Sequence, residues 1–324
     1  MKSPQKTIWG QVRATKAPFF VLAPMDDVTD IVFRQVVARL ASADIMMTEF
    51  ANVKGFCSPG RIAIERRLLL APDEQNVIAQ IWGTEPAKYQ QMASELATRP
   101  FAGIDINMGC PVRDVIKTGA CSGLIRTPEL AQEIIQATQK GAGEMPVSVK
   151  TRIGFNEPDI EGWIGFLLEQ QLPALTIHLR TVKEQSKVPA HWELLADIVA
   201  MRDRISPDTA IIANGDIEDR QAGLKLAEQT GCDGVMIGRG VFHNPWAFEV
   251  KPREHTLAER LAALKLHLDI FEATWQNNEK HYEPLKKFFK IYIQGFDGAA
   301  VWRNHLMQTR SLDEARHVIA SIKS

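Results

Sequence analysis

Eight short apolar runs, each followed by a longer stretch of helical period, constrain this chain more than any other feature. The runs span residues 19–24, 45–49, 77–82, 103–107, 146–152, 174–179, 209–214 and 233–238. Runs of this length, rich in Val and Ile and bounded by turn residues, read as buried strands, and their alternation with helices is the signature of βα units around a parallel sheet. Eight is the number at which such a sheet closes on itself. Helices are predicted over 30–40, over 86–97 opened by Pro86, over 127–140 opened by Thr127-Pro128, and over 159–170, 191–204 and 219–230. Residues 54–73, with Arg61, Arg66, Arg67 and a leucine run, read as loop plus a short helix. After Gly238 the pattern changes, and from Pro252 onward only helical period remains, over 256–277, 282–296 and 312–322. The expected fold class is therefore α/β: a (β/α)8 TIM barrel over residues 1–248, followed by a small all-helical domain over 249–324.

Composition excludes several alternatives. The chain has 324 residues, 45% hydrophobic and 24% charged, with a net charge of -1, which leaves no room for a disordered, collagenous or disulfide-scaffold protein. No apolar run approaches the roughly 20 residues of a membrane helix, and the run from Phe19 to Ala23 is too short for a signal-peptide core. A soluble, cytoplasmic protein without a membrane partner is expected. The four cysteines, Cys57, Cys110, Cys121 and Cys232, contain no C-x-x-C pair, so neither a metal site nor a disulfide framework is expected. Any cysteine with a chemical role here acts as a thiol reagent. Charge is unevenly distributed: residues 252–324 hold 11 Lys/Arg against 9 Asp/Glu, while residues 1–251 hold 27 against 30. Lys286, Lys287, Lys290 and Arg303 lie in its most basic part, with Tyr282, Tyr292 and Trp302 interleaved. That is the footprint of a polyanion partner, or else a solvated helix face.

In a βα barrel the active site is assembled from the carboxyl ends of the strands. Here those ends read Ala23-Pro24-Met25, Thr48-Glu49, Gln80, Asn107 through Pro111, Lys150-Thr151-Arg152, His178-Leu179-Arg180, Asn214-Gly215-Asp216 and Gly238-Arg239-Gly240. So many polar groups on otherwise apolar strands are costly to bury without a ligand. Gly215 and Gly238-Arg239-Gly240 stand where barrels bind phosphate, with Arg239 as a charge partner. Lys150 can stabilise negative charge, such as the N1/O2 edge of a reduced flavin, or form a Schiff base. His178 suits a general acid or a ligand to a phosphate or carbonyl. Cys110, bracketed by Gly109 and Pro111, is the one cysteine at a strand end, which suits proton donation to a substrate carbon.

These strings resemble the tRNA-dihydrouridine synthase family: Ala-Pro-Met-Asp-Asp-Val-Thr-Asp at 23–30, Thr-Glu-Phe at 48–50, Asp-Ile-Asn-Met-Gly-Cys-Pro at 105–111, Val-Lys-Thr-Arg-Ile-Gly at 149–154, Ile-Ala-Asn-Gly-Asp-Ile at 212–217 and Gly-Cys-Asp-Gly-Val-Met-Ile-Gly-Arg-Gly at 231–240. The resemblance implies a flavin mononucleotide (FMN) barrel whose helical domain grips tRNA. It also implies that NADPH reduces the flavin, that hydride then passes to C6 of a uridine, and that Cys110 protonates C5. By position, Asn107 would hold the uracil, with Arg152 and Arg180 nearby. Pro24 and Met25 by backbone, with Gln80, Lys150 and His178, would line the isoalloxazine. Asn214, Gly215, Asp216, Gly238 and Arg239 would take the phosphate end. A monomer would suffice for this chemistry. The pattern departs from the family at Leu179 and Asp27, where glycine is usual, and at Cys121, which replaces the glycine of a Gly-Ala-Gly-Ser loop. Two other readings share some of these features: a flavin barrel acting on a free pyrimidine, and a tRNA-binding barrel without turnover.

Overall fold

Each of the eight runs forms a strand in the computed structural model, which describes residues 7–276 and 280–322. They are β1 (Phe19–Leu22), β2 (Ile45–Met47), β4 (Val77–Trp82), β5 (Gly103–Met108), β6 (Val147–Arg152), β7 (Ala174–His178), β8 (Ala210–Asn214) and β9 (Gly234–Ile237). A two-residue strand, β3 (Ala51–Asn52), adds to the outer end of β4. All pairings are parallel, and two of them close the ring: Phe19 pairs with Gly234 across β1 and β9, and Met46 with Val77 across β2 and β4. The expected TIM barrel is what forms.

Period two along each strand sorts the side chains into layers. Phe19 and Val21, Ile45 and Met47, Ile78, Ala174, Ala210 and Ile212, and Met236 face inward and make one apolar cluster. The helix Ile8–Ala14, which the sequence reading missed, adds Ile8 and the fully buried Trp9 to that cluster. The interior is thus apolar toward the amino ends of the strands. One step further along each strand the inward residues become polar: Gln80, Asn107, Lys150, Arg152, His178 and Asn214.

The chain divides into two compact units. The first comprises residues up to Ile31, Ala43–Ile217 and Gln221–Gly238 and holds the whole barrel sheet; the second comprises Val32–Ser42, Glu218–Arg220 and Arg239 onward. The second unit therefore begins ten residues before the expected boundary at 249 and takes in most of the helix Ile31–Ala41. The reason is aromatic packing within that unit: Phe33 stacks on Phe288 at 5.1 Å and on Phe242 at 6.2 Å, while His267 Nδ1 lies 2.8 Å from the Tyr292 hydroxyl.

Three helical expectations change. The helix Leu257–Thr274 starts on a capping box between Thr256 and Glu259, as the sequence suggests, but stops earlier; Asn277 lies outside the described residues. The stretch expected as one helix over 282–296 is a 3-10 turn, Glu283–Phe288, and a single α-turn, Phe289–Tyr292. An unanticipated helix, Ala299–Gln308, follows Gly298, whose φ of +80° makes the break. Among the described residues no helix is long and apolar enough to cross a membrane.

Candidate active site

A carboxylate that water cannot reach organises the polar layer. Asp105 is fully buried in β5; Ser148 Oγ donates to its Oδ1 at 2.6 Å and Gln80 Nε2 to its Oδ2 at 2.7 Å. Burial pushes its carboxyl up to about 6 against the pull of these two donors. Because a carboxylate only accepts, Gln80 must turn its NH2 toward Asp105, which leaves Gln80 Oε1 to accept from Asn107 Nδ2 at 3.0 Å. Asn107 Oδ1 then faces the other way and accepts from the backbone N–H groups of Gly109 and Cys110, both at 3.0 Å. Asp105 thus fixes the orientation of two amides and, through them, the turn that carries Cys110. Gly109 sits close to that strand: a Cβ would come within 3.3 Å of the Thr151 carbonyl carbon, so the backbone there would have to give by a few tenths of an ångström.

Arg152 holds the same turn from the other side. It is 3% exposed, and its guanidinium donates from Nε to Gly109 O at 2.8 Å and from Nη1 to Thr181 O and Gln185 O, both at 2.9 Å. Expected beside the uracil, the side chain also forms a buried clasp between loops. Cys110 is half-buried, and Cys121 is buried. The Cys121 thiol first, then the Val112 N–H and the Arg152 charge, bring the Cys110 thiol down to about 7, against desolvation and the charge of Asp26.

Lys150 Nζ donates to Asn214 Oδ1 at 3.0 Å, and Asn214 Nδ2 donates to Met236 O at 2.9 Å. Desolvation and the nearby Arg152 bring the Lys150 ammonium down to about 8, so it is still mostly charged at neutral pH. Arg180, 2% exposed, reaches His178 Nε2 at 3.1 Å and pairs with Asp216. Arginine has no acceptor, so in this contact His178 Nε2 accepts. Gly215 has φ +123°, and a Cβ there would come within 3.0 Å of Ala190 and 3.2 Å of the His178 ring. Gly238 has room for one, at ordinary contact with Ala23 and Met25. Pro24 and Met25 are partly buried, and the Met25 backbone is already engaged: its N–H donates to Thr29 Oγ1 at 2.9 Å and its carbonyl accepts from Thr29 N at 3.0 Å.

Two of the three departures from the family pattern stand where the backbone favours glycine. Asp27 has φ +55° and Cys121 φ +51°, the left-handed region where glycine carries no steric cost. Leu179 is fully buried. Among the described residues the one carboxylate cluster compact enough to suggest a cation is Asp26, Asp27 and Glu49, and the Arg67 guanidinium already sits in it, 3.0 Å from Glu49 Oε1.

In the second unit a cavity of about 540 Å³ is lined by Arg239, Phe242, His243, Lys290, Gln294 and Arg303. It has three permanent cations and no carboxylate. The structure thus groups Arg239, expected at a flavin phosphate, with two residues expected at RNA phosphates. Lys287 is partly buried, its ammonium 5.2 Å from the Phe288 ring. Lys286 departs from expectation: it is 8% exposed, donates to Met307 O at 3.1 Å and pairs with Glu283 at 2.9 Å, so its charge serves the helical packing.

Sequence reasoning missed Asp105, Ser148 and Cys121. Period two could have found the first, since Asp105 shares the inward face with Asn107, and the second, which shares one with Lys150. Nothing local marks Cys121 as an influence on a residue eleven positions earlier.

Lys150→Met keeps the aliphatic stem and removes the charge. We expect a folded protein with reduced flavin content after purification; the protein-to-flavin absorbance ratio measures it, and wild-type occupancy would dismiss the role.

The sequence model described as "Dihydrouridine synthase (Dus)" matches residues 21–323. A "Probable tRNA-dihydrouridine synthase" of Staphylococcus epidermidis is 50% identical over 309 residues, covering 95% of this chain and 94% of the relative. One from Staphylococcus aureus is 52% identical over 304 residues, covering 93% and 92%. "Probable tRNA-dihydrouridine synthase 2" of Bacillus subtilis is 50% identical over 309 residues, covering 95% and 94%. Among solved structures, a 2-naphthoyl-CoA reductase superposes with a TM-score of 0.55 at 10% identity, covering 71% of this chain and 49% of the other. Morphinone reductase gives 0.50 at 13%, covering 71% and 84%. At such identities these structures speak for the barrel fold alone. Half the positions identical along nearly the whole length, together with a family match that spans every barrel strand but the first two residues of β1, establish that this chain belongs to the dihydrouridine synthase family of oxidoreductases.

Proposed function

We propose that the chain reduces the C5–C6 double bond of uridines in tRNA to 5,6-dihydrouridine, with bound FMN, with NADPH as reductant, and with Cys110 as the proton donor to C5. The observation that carries this reading is a half-buried thiol held near neutrality at the mouth of a barrel, on a turn gripped from both sides by Asn107 and Arg152. An acid near the working pH gives up and regains its proton with least loss. The donor set also fits FMN: the Lys150 cation suits an anionic ring edge, and the hydroxyl of Thr176, in register with Lys150 and buried without a partner, leaves polar capacity facing the interior. Bound and reduced, the flavin supplies the hydride for C6. The protein's own part is to place the base, exclude water and deliver a proton from Cys110 Sγ.

A base must leave its stack to reach such a site, so the RNA is held by shape and phosphate contacts. Lys290, Arg303 and Arg239 are assigned to those contacts, with Lys287 beside them. Lys290→Ala and Arg303→Ala should each flatten the slope of log Kd against log salt by about one. Lys286→Ala should lower thermal stability and leave the slope alone; fluorescence anisotropy across a salt series separates the two outcomes. The decisive test of the function is direct: purified yellow protein, NADPH and unmodified tRNA, with dihydrouridine mapped by mass spectrometry and free uridine as control. Colourless protein unable to take up FMN, or reduction of free uridine alone, would refute the reading.

A further inference from the structure

The cavity in the second unit holds one group for which a phosphate has no use. Gln294 Nε2 donates to His243 O at 2.8 Å and to Ile291 O at 2.9 Å. A carbonyl only accepts, so both hydrogens of that amide are spent on the backbone and its orientation is fixed. The atom Gln294 has left to offer the cavity is Oε1, an acceptor with no partner among the described residues. Phosphate oxygens are acceptors too and gain nothing from it. Around Gln294 stand Arg239, Lys290 and Arg303, with Phe242 in the same wall. Arg303 is anchored through Nη1 on Ile293 O at 2.8 Å, which leaves the rest of its fork for a ligand. Phe242 is partly buried, its ring parallel to that of Phe288 at 6.2 Å.

We propose that this cavity takes one whole nucleotide of the tRNA: its phosphate on Lys290 and Arg303, its base against the Phe242 ring, and an N–H of that base donating to Gln294 Oε1. This rests on the reading of the chain as an enzyme acting on tRNA and goes past it, because phosphate contacts position a nucleic acid whereas contacts to a base edge select among bases. Three requirements of a nucleotide meet here, namely cations for the phosphate, an aromatic ring for the base and a fixed acceptor for its edge. Stacking tolerates every base, since each has a π-face, so the acceptor is what makes the site choose. A volume of about 540 Å³ lies within the range of small-ligand pockets and leaves room for one nucleotide. The adenine nucleotide of NADPH has the same parts. RNA is the source the surroundings favour, because Arg239 and Lys290 are exposed and carry positive charge beyond the cavity, toward the further phosphates of a polymer.

The test uses the FMN-loaded full chain and an unmodified tRNA transcript. Ultraviolet cross-linking of the parent protein, read by peptide mass spectrometry, identifies the nucleotide joined to Phe242. An abasic replacement of that nucleotide keeps its phosphate; by fluorescence anisotropy it should weaken binding about tenfold and leave the slope of log Kd against log salt unchanged. Phe242→Leu should cost as much, and the two changes together no more than either alone. Gln294→Met should weaken binding about fivefold, again at constant slope. If Phe242→Leu lowers the melting temperature by disturbing Phe288, the abasic transcript on the parent protein still decides. Cross-links confined to other elements, or an abasic transcript bound as tightly as the complete one, would overturn the proposal. So would a flattened slope in Gln294→Met, which would leave phosphate contacts alone, or a raised KM for NADPH with unchanged tRNA affinity, which would give the cavity to the cofactor. A parent protein that binds no tRNA and forms no dihydrouridine would instead remove the reading beneath it, and the two failures are distinct.

Discussion

Cys110→Ala gives a yellow protein that binds tRNA as tightly as the parent and forms dihydrouridine about 10²–10⁴-fold more slowly, the range lost when a positioned acid is removed. The substitution deletes one half-buried sulfur and leaves the turn intact, because Asn107 Oδ1 grips the backbone N–H of residue 110 and not its side chain. Flavin content and RNA affinity therefore report an intact site while product formation fails. A second signature accompanies the loss. With the thiol near 7, its protonated fraction declines as pH rises through neutrality, so wild-type turnover should fall roughly tenfold per unit on the alkaline side. The variant has no such limb. Rapid-quench measurement of dihydrouridine across pH reads both effects, and a Cys110→Ala enzyme with parental rates would end the assignment.

Arg152→Ala damages stability and activity together. The guanidinium serves three carbonyls, Gly109 O, Thr181 O and Gln185 O, in a site water hardly reaches. Each buried acceptor left unpaired costs about 1–3 kcal/mol, so a loss on the order of 3 kcal/mol in unfolding free energy is expected, with the Cys110 turn released at the same time. Arg152→Lys should recover part of the stability, since an ammonium supplies donors without the planar fork that spans two loops. Urea titration beside single-turnover assays distinguishes this from Cys110→Ala, where activity falls alone. Equal stability of Arg152→Ala and the parent would show the clasp to be dispensable.

The strands were legible because a buried parallel strand must be an apolar run, and the residues that break the run mark the site. Gln80, Asn107, Lys150 and Asn214 were found by that logic, and all four turn out to be linked to another polar group of the layer or to the backbone beside it. What stayed hidden depends on contacts distant in sequence. Arg152 and Arg180 carry charges that suggest ligands, and only the folded loops show them spent on carbonyls, His178 and Asp216. Lys286 belonged to a basic run, yet its neighbours Glu283 and the Met307 carbonyl consume it. Helical period merged 282–296 into one element because periodicity does not register the interruptions at Pro284 and Gly295. Cys121 stood out only as a departure from a loop pattern, since what a thiol faces in the fold cannot be read from its neighbours in the chain.

The helix Ile8–Ala14 sets an order of events during synthesis. Trp9 rests in a cluster that includes Ala210, Ile212 and Met236, Arg13 pairs with Asp233 at 2.8 Å, and Phe19 lies opposite Gly234. These partners lie some 200 residues further along the chain, so this segment has no place to settle until the last barrel strand exists. Until then an aromatic-bearing helix and an open strand edge stay exposed.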